Sequence, residues 1–201
     1  MLLGFLLVVR SPSIVVVVFL AALSLFAFNC WEAKRAENTA KTILSQLEDV
    51  VQGKNNPSAS PETDPYNLEM TVTEIDDYGY VGYLSIPALD LELPVMSQWD
   101  YTWLKISPCR YSGSTKTDDL VICAHNYTRH FGLLFNLAPG DVVYFTDMNG
   151  KLWCYEVTVV DILSPTAVED MTAGDCGLTL FTCTYGGGSQ VLVRCERIRE
   201  E

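Results

Sequence analysis

The chain has 201 residues, 49% apolar and 19% charged, with 13 basic against 25 acidic side chains for a net charge of -12. That length buries a core without covalent staples, and the acidity excludes a nucleic-acid binder, which needs a basic face to neutralise phosphates. Seven cysteines is an odd number in a chain too large and too apolar for a disulfide-framework miniprotein.

Near the start, Ile14 to Phe28 (IVVVVFLAALSLFAF) carries no charge and has Ser24 as its one polar group. Extended to Ser13–Trp31, the run reaches the roughly 17–25 residues that a bilayer-spanning helix needs. A cleaved secretory signal is the competing reading. No small-x-small site follows, however, and the exit reads Phe-Asn-Cys-Trp-Glu. Residues 1–31 therefore read as a single-pass anchor on an exported chain. Beyond it Ala36, Ala40, Ile43, Leu47, Val50 and Val51 recur at helical spacing and predict a juxtamembrane helix with one apolar stripe. Gly53 to Asp64 (GKNNPSASPETD) reads as a linker. Residues 32–77 hold 4 basic and 10 acidic groups, which suits a solvated stalk.

From residue 78 to 201 the pattern is mostly β, as short runs bounded by turn residues. Predicted strands are Tyr80–Ile86, Leu91–Val95, Leu120–Ala124, Val142–Thr146, Leu152–Ile162, Leu178–Cys183 and Gln190–Arg194, with a hairpin at Met148-Asn149-Gly150-Lys151. Seven or eight short strands in such a length fit a barrel or sandwich. Helix is expected only over Ser97–Leu104 and His130–Asn136.

Two histidines are present. His125 ends the apolar strand LVICAH, a rim position suited to chemistry. His130 lies in a polar-aromatic loop (NYTRHFG), where solvent exposure or a capping role is expected. Among the cysteines Cys183 stands out: it closes LTLFTC and precedes Thr184, Tyr185 and three glycines. Cys30 sits at the membrane exit, and Cys109, Cys123, Cys154, Cys176 and Cys195 read as small apolar residues. A disulfide among Cys109, Cys154 and Cys176 stays open. No C-x-x-C pair exists and two histidines in one segment make no ligand set, so no metal is expected. A Cys and a His on separate strand ends suggest nucleophilic catalysis, the thiolate attacking a carbonyl and the imidazole moving the proton, with a third group holding the oxyanion.

Thr179-Leu180-Phe181-Thr182-Cys183 resembles the TLxTC signature of sortases, the membrane-anchored cysteine transpeptidases of Gram-positive bacteria. Tyr80–Val95 (YVGYLSIPALDLELPV) looks like that family's opening strands, Ala124-His125-Asn126 like its histidine segment, and Phe131–Thr146 (FGLLFNLAPGDVVYFT) like its helix-then-strand continuation. The resemblance covers roughly Tyr78–Ile198. It implies an eight-stranded barrel, Cys183 as nucleophile, His125 as general acid/base and no cofactor. It also implies an LPxTG-type sorting motif as substrate, an amine of a peptidoglycan precursor or a pilin lysine as acceptor, and a catalytic domain outside the cell membrane.

One position departs from the pattern. The family's last strand carries an arginine near its start, and the alignment puts Gln190 there. Arg194 is the alternative, on the same face but four residues along, roughly 13 Å away. By the same resemblance Thr182 and Asn126 are substrate contacts. The loop Ser164 to Gly177, with Glu169, Asp170 and Asp175, is a wall tuning motif preference. The helix-plus-linker and the AHN segment look similar to class B members. No aspartate-aromatic lid motif stands out before the barrel, which disfavours a pilus-polymerising class. A hydrolase without transfer would use the same residues, and a pseudo-sortase that binds without turnover is a further alternative. An L,D-transpeptidase is disfavoured because its Ser-x-Gly-Cys context is absent.

Overall fold

The computed structural model describes residues 12–54, 68–164, 166–167, 176–183 and 188–199, with Cys183 described through its backbone. The chain divides into two compact units, Met1–Arg35 and Ala36–Glu201. One helix, α1, runs from Pro12 to Lys54. No Gly or Pro interrupts residues 13–52, so nothing stops the helix at the foot of the apolar run. The expected anchor and juxtamembrane helices are therefore successive parts of one element. Within the first unit, Ser13–Trp31 has a mean hydropathy of 2.4 and none of it is buried, so by length and composition it suits a membrane span.

In the second unit Ala40, Ile43, Leu47 and Val51 of the predicted stripe are buried, joined by Leu44, which the spacing did not single out, while Val50 is half-buried. Of the expected linker only Gly53 and Lys54 are described, and both are helical. Among the described residues nine strands follow: β1 (Thr73–Ile75), β2 (Tyr78–Ile86), β3 (Leu91–Met96), β4 (Cys109–Ser112), β5 (Leu120–Cys123), β6 (Val142–Asp147), β7 (Leu152–Leu163), β8 (Leu178–Cys183) and β9 (Gln190–Arg197). Pairing runs β2-β3-β4-β5-β8-β9-β7-β6, and β6 pairs back onto β2, which closes an eight-stranded barrel. The short β1 adds to the start of β2, ahead of the residues that pair with β6.

The barrel is the one the resemblance implied, with two strands not anticipated, β1 and β4. The helices expected at 97–104 and 130–136 are reduced to 3₁₀ turns at Trp103–Lys105 and Leu134–Asn136. The hairpin forms as predicted between β6 and β7. Asp147 Oδ1 accepts from the amides of Asn149 (2.8 Å) and Lys151 (3.1 Å), and Gly150 takes a φ of 81°.

The walls around the site are buried on both faces, and the period of two sorts them cleanly. Leu120, Ile122 and Ala124, Leu178 and Leu180, and Val191 and Val193 join the inner core. Val121 and Cys123, Phe181, and Leu192 join a second cluster on the outside, together with Ile43, Leu47 and Val51 of α1. Each fully buried large side chain there contributes about 1.5–3 kcal/mol. Cys30, Cys109, Cys123, Cys154, Cys176 and Cys195 carry free thiols, so the disulfide left open by the sequence does not form among Cys109, Cys154 and Cys176.

Candidate active site

β5 and β8 are parallel neighbours, with Leu120 opposite Leu178 and Cys123 opposite Phe181. The ladder continues one step, the Ala124 amide donating to the Phe181 carbonyl at 3.3 Å. His125 and Cys183 each lie two residues beyond the last register pair. Parallel pairing thus delivers both to the same end of the barrel, on strands about 4.8 Å apart. β9 runs antiparallel to β8 and sets Gln190 opposite Cys183. Across the sheet the order is therefore His125, Cys183, Gln190. Strand parity puts Gln190 on the same face as Leu192, and His125 follows Cys123 in the same phase.

His125 is held by a loop that turns back on itself. Its carbonyl accepts from the Phe131 amide (3.1 Å), and the Tyr127 carbonyl accepts from the amides of His130 (2.8 Å) and Gly132 (3.0 Å). Phe131 anchors the loop by full burial in the barrel core. Gly132 is required at this fold-back, because a Cβ there would sit 2.4 Å from the Asn126 carbonyl oxygen. Asn126 itself is half-buried in this turn. The imidazole of His125 stacks on Tyr127 (centroids 4.9 Å, planes 25° apart) and meets the edge of Tyr101 at 6.1 Å. Both tyrosine rings border the imidazole. Sequence reading passed over them, since nothing in the spacing links Tyr101 to a histidine 24 residues away.

Thr182, read from the sequence as a substrate contact, is buried, and its Oγ1 donates to the Ala124 carbonyl at 2.8 Å. Its side chain ties the ends of β8 and β5. Gln190 is half-buried, and its side-chain oxygen has no hydrogen-bond partner among the described residues. Arg194 pairs with Thr179 of β8 and Val159 of β7, four residues below the Cys183 level. Glu169, Asp170 and Asp175 lie outside the described residues, as does most of the expected Ser164–Gly177 wall.

The expectation for His130 is overturned. It is fully buried, not exposed or capping, because the fold-back carries it inward beside Phe131. Neither of its ring nitrogens has a partner among the described residues. Burial, with the charge of His125 as a lesser cause, pulls its pKa down to about 4, so it is neutral at ordinary pH. Burial likewise pushes the Cys109 thiol up to about 12 and raises that of Cys195. Both stay protonated and make poor nucleophiles.

A family model for the sortase domain matches residues 84–198, more than half of the chain. The chain belongs to the sortase family. Among solved structures, this sortase is similar to sortase C1 from Streptococcus suis at 27% identity, covering 61% of this chain and 74% of that one with a TM-score of 0.52. Sortase C1 from Streptococcus agalactiae matches at 24% identity over 84% and 90% of the two chains, with a TM-score of 0.56. A Streptococcus pneumoniae sortase C, described for its pilin substrate specificity, matches at 21% identity over 87% and 97%, with a TM-score of 0.54. A comparison with curated proteins finds no match. The expectation that no aspartate-aromatic motif precedes the barrel also needs correction. The sequence carries Asp64-Pro65-Tyr66 upstream of β1, outside the described residues.

Proposed function

We propose that this sortase is an active cysteine transpeptidase in which Cys183 is the nucleophile, His125 the general acid/base and Gln190 the oxyanion donor. The observation that carries the reading is the shared β5–β8–β9 register, which supports a single site built from three strand ends. Its substrate is an LPxTG-like sorting motif on an exported protein. The Cys183 thiolate forms a C–S bond to the threonine carbonyl carbon, and the oxyanion is met by the Gln190 NH₂ and backbone amides near Cys183. As the C–N bond breaks, the electron pair leaves with nitrogen and His125 supplies the proton. An acceptor amine then attacks the thioester. A new C–N bond forms, the C–S pair returns to sulfur, and His125 takes the proton from nitrogen.

Arg194 fits the oxyanion role less well, four residues down the strand. Thr182 acts by tying strand ends together, and Asn126 with Glu169 and Asp170 borders the substrate. Ser13–Trp31 serves as a single membrane pass, with residues 78–201 as the catalytic domain outside. The likeness to the Streptococcus suis enzyme and the Asp64-Pro65-Tyr66 triplet favour a pilin-type lysine acceptor over a class B-like assignment.

The test is a panel of LPxTG-like fluorogenic peptides offered to the full chain, with Cys183→Ala as control. Cleavage by wild type and none by the variant supports the reading; equal signals from both overturn the catalytic assignment. A second reading, binding without turnover, rests on Gln190 standing where the family has arginine. No cleavage by wild type together with activity in Gln190→Arg favours it.

A further inference from the structure

The chain has two imidazoles, and one tyrosine ring meets both. Tyr127 stacks on His125, with centroids 4.9 Å and planes 25° apart, and meets His130 at 5.5 Å and 50°. Its backbone fixes it in the turn, because the Tyr127 carbonyl accepts from the amides of His130 (2.8 Å) and Gly132 (3.0 Å). The fold-back anchored by Phe131 thus gathers three rings into one group.

The two imidazoles differ in what they can carry. His125 is half-buried at the strand end, whereas His130 is fully buried. Burial, with the charge of His125 as a lesser cause, holds the pKa of His130 down to about 4. At neutral pH a positive charge in this group therefore sits on His125. A stacked imidazolium at 4.9 Å lies inside the roughly 6 Å over which the quadrupole of an aromatic ring attracts a cation. Stacking also restricts how the imidazole can turn. The protonated ring is the form that, in the proposed reaction, supplies the proton to the departing amine.

The other titratable and charged groups around the trio come from three further places. From the loop after β3, Tyr101 meets His125 at 6.1 Å and 71°, and the neighbouring Asp100 carboxylate accepts from the amides of Thr102 (2.7 Å) and Trp103 (3.4 Å). On the turn itself Arg129 pairs with Glu37 of α1 at 3.6 Å and with Asp90 at 4.0 Å. On the adjoining strand ends stand Cys183 and the uncharged Gln190.

We propose that Tyr127 is a positioning residue for His125, its ring face orienting the imidazole and stabilising the protonated form that delivers the proton. The proposal deepens the transpeptidase reading and rests on it. His130 meets the same ring and takes no share of the charge. Loss of the ring's attraction lowers the midpoint at which His125 gives up its proton, since the charged form alone is stabilised.

The experiment follows the ring signals of the two histidines by NMR in the full chain in detergent, with Cys183→Ala removing the thiol that would titrate alongside. Tyr127→Phe keeps the ring and leaves the His125 midpoint within about 0.2 unit of its parent. Pentafluorophenylalanine at position 127 keeps that size and reverses the ring quadrupole, and the midpoint falls by about half a unit to one unit. An unchanged midpoint with the fluorinated ring overturns the proposal. An equal fall with Tyr127→Phe also overturns it, by tracing the effect to the hydroxyl. In chains that retain Cys183, the alkaline limb of kcat/KM for an LPxTG-like peptide moves to lower pH with the fluorinated ring and returns with Phe. A limb that stays in place while the midpoint falls overturns the role in proton delivery. A wild-type chain that cleaves no peptide sinks the transpeptidase reading instead, while the midpoints still decide whether Tyr127 stabilises the charge on His125.

Discussion

Thr182 Oγ1 donates to the Ala124 carbonyl at 2.8 Å, so the residue before Cys183 is fastened to the residue before His125. Both partners are buried, and the bond fixes the relative height of the two strand ends. Replacing Thr182 by Val keeps the shape and leaves the Ala124 carbonyl unpaired, at about 1–3 kcal/mol. Peptide cleavage by Thr182→Val is expected to fall further than its melting temperature alone explains. Full turnover at a temperature where the variant is folded would refute the fastening role.

Gln190 stands opposite Cys183. If Gln190 holds the oxyanion as proposed, removing that donor lowers turnover by on the order of a hundredfold or more, so Gln190→Ala is expected to lose that much in kcat with a smaller change in KM. Gln190→Arg supplies a charged donor, roughly twice as strong, and is expected to match or exceed wild type. The check is steady-state cleavage of one peptide by all three proteins. A Gln190→Ala variant within twofold of wild type would assign the role elsewhere.

Gly132 closes the loop that carries His125. A methyl group there meets the Asn126 carbonyl at 2.4 Å, with the Tyr127 carbonyl at 2.8 Å. Both are backbone atoms that cannot rotate aside, so Gly132→Ala displaces the loop. The expected result is a loss of 1–3 kcal/mol or so by analogy with other overpacked sites, and cleavage reduced beyond that loss. Thermal melting paired with the cleavage assay separates the two effects.

His130 sets an acid limit. Its folded pKa is about 4, against about 6.5 in the unfolded chain. Between those values the unfolded state takes up a proton that the folded state refuses, so acidification favours unfolding. The loss begins near pH 6.5, grows until about pH 4, and amounts to roughly 3 kcal/mol at most. His130→Phe removes it. Melting temperatures from pH 7 to 4 should fall less steeply for the variant; parallel curves would show that other groups set the acid limit.

β8 was legible to the residue, because an unbroken run of apolar and β-branched side chains reaches Cys183 and is closed by glycines. The run pattern left barrel and sandwich both open; the closed eight-stranded barrel was what the resemblance implied, and the pairing order bears it out. β4 was not legible: Cys-Arg-Tyr-Ser is short, carries a charge and lacks a β-branched residue, so it is set by β5 pairing beside it and not by propensity. His130 was misread because its neighbours in sequence, Arg129 and Thr128, are exposed, whereas its burial comes from the fold-back around Phe131. Tyr101 and Tyr127 escaped notice for a related reason. Ring stacking on a histidine depends on loop geometry that no periodicity encodes.

The parallel pairing of β5 and β8 joins residues 58 positions apart in the chain. A parallel neighbour cannot be made by a local turn, and the intervening strands β6 and β7 pair elsewhere in the sheet, beyond β9. Until both strands are in place, positions 125 and 183 are not neighbours. The two positions are brought together by long-range strand pairing and by nothing local in the chain.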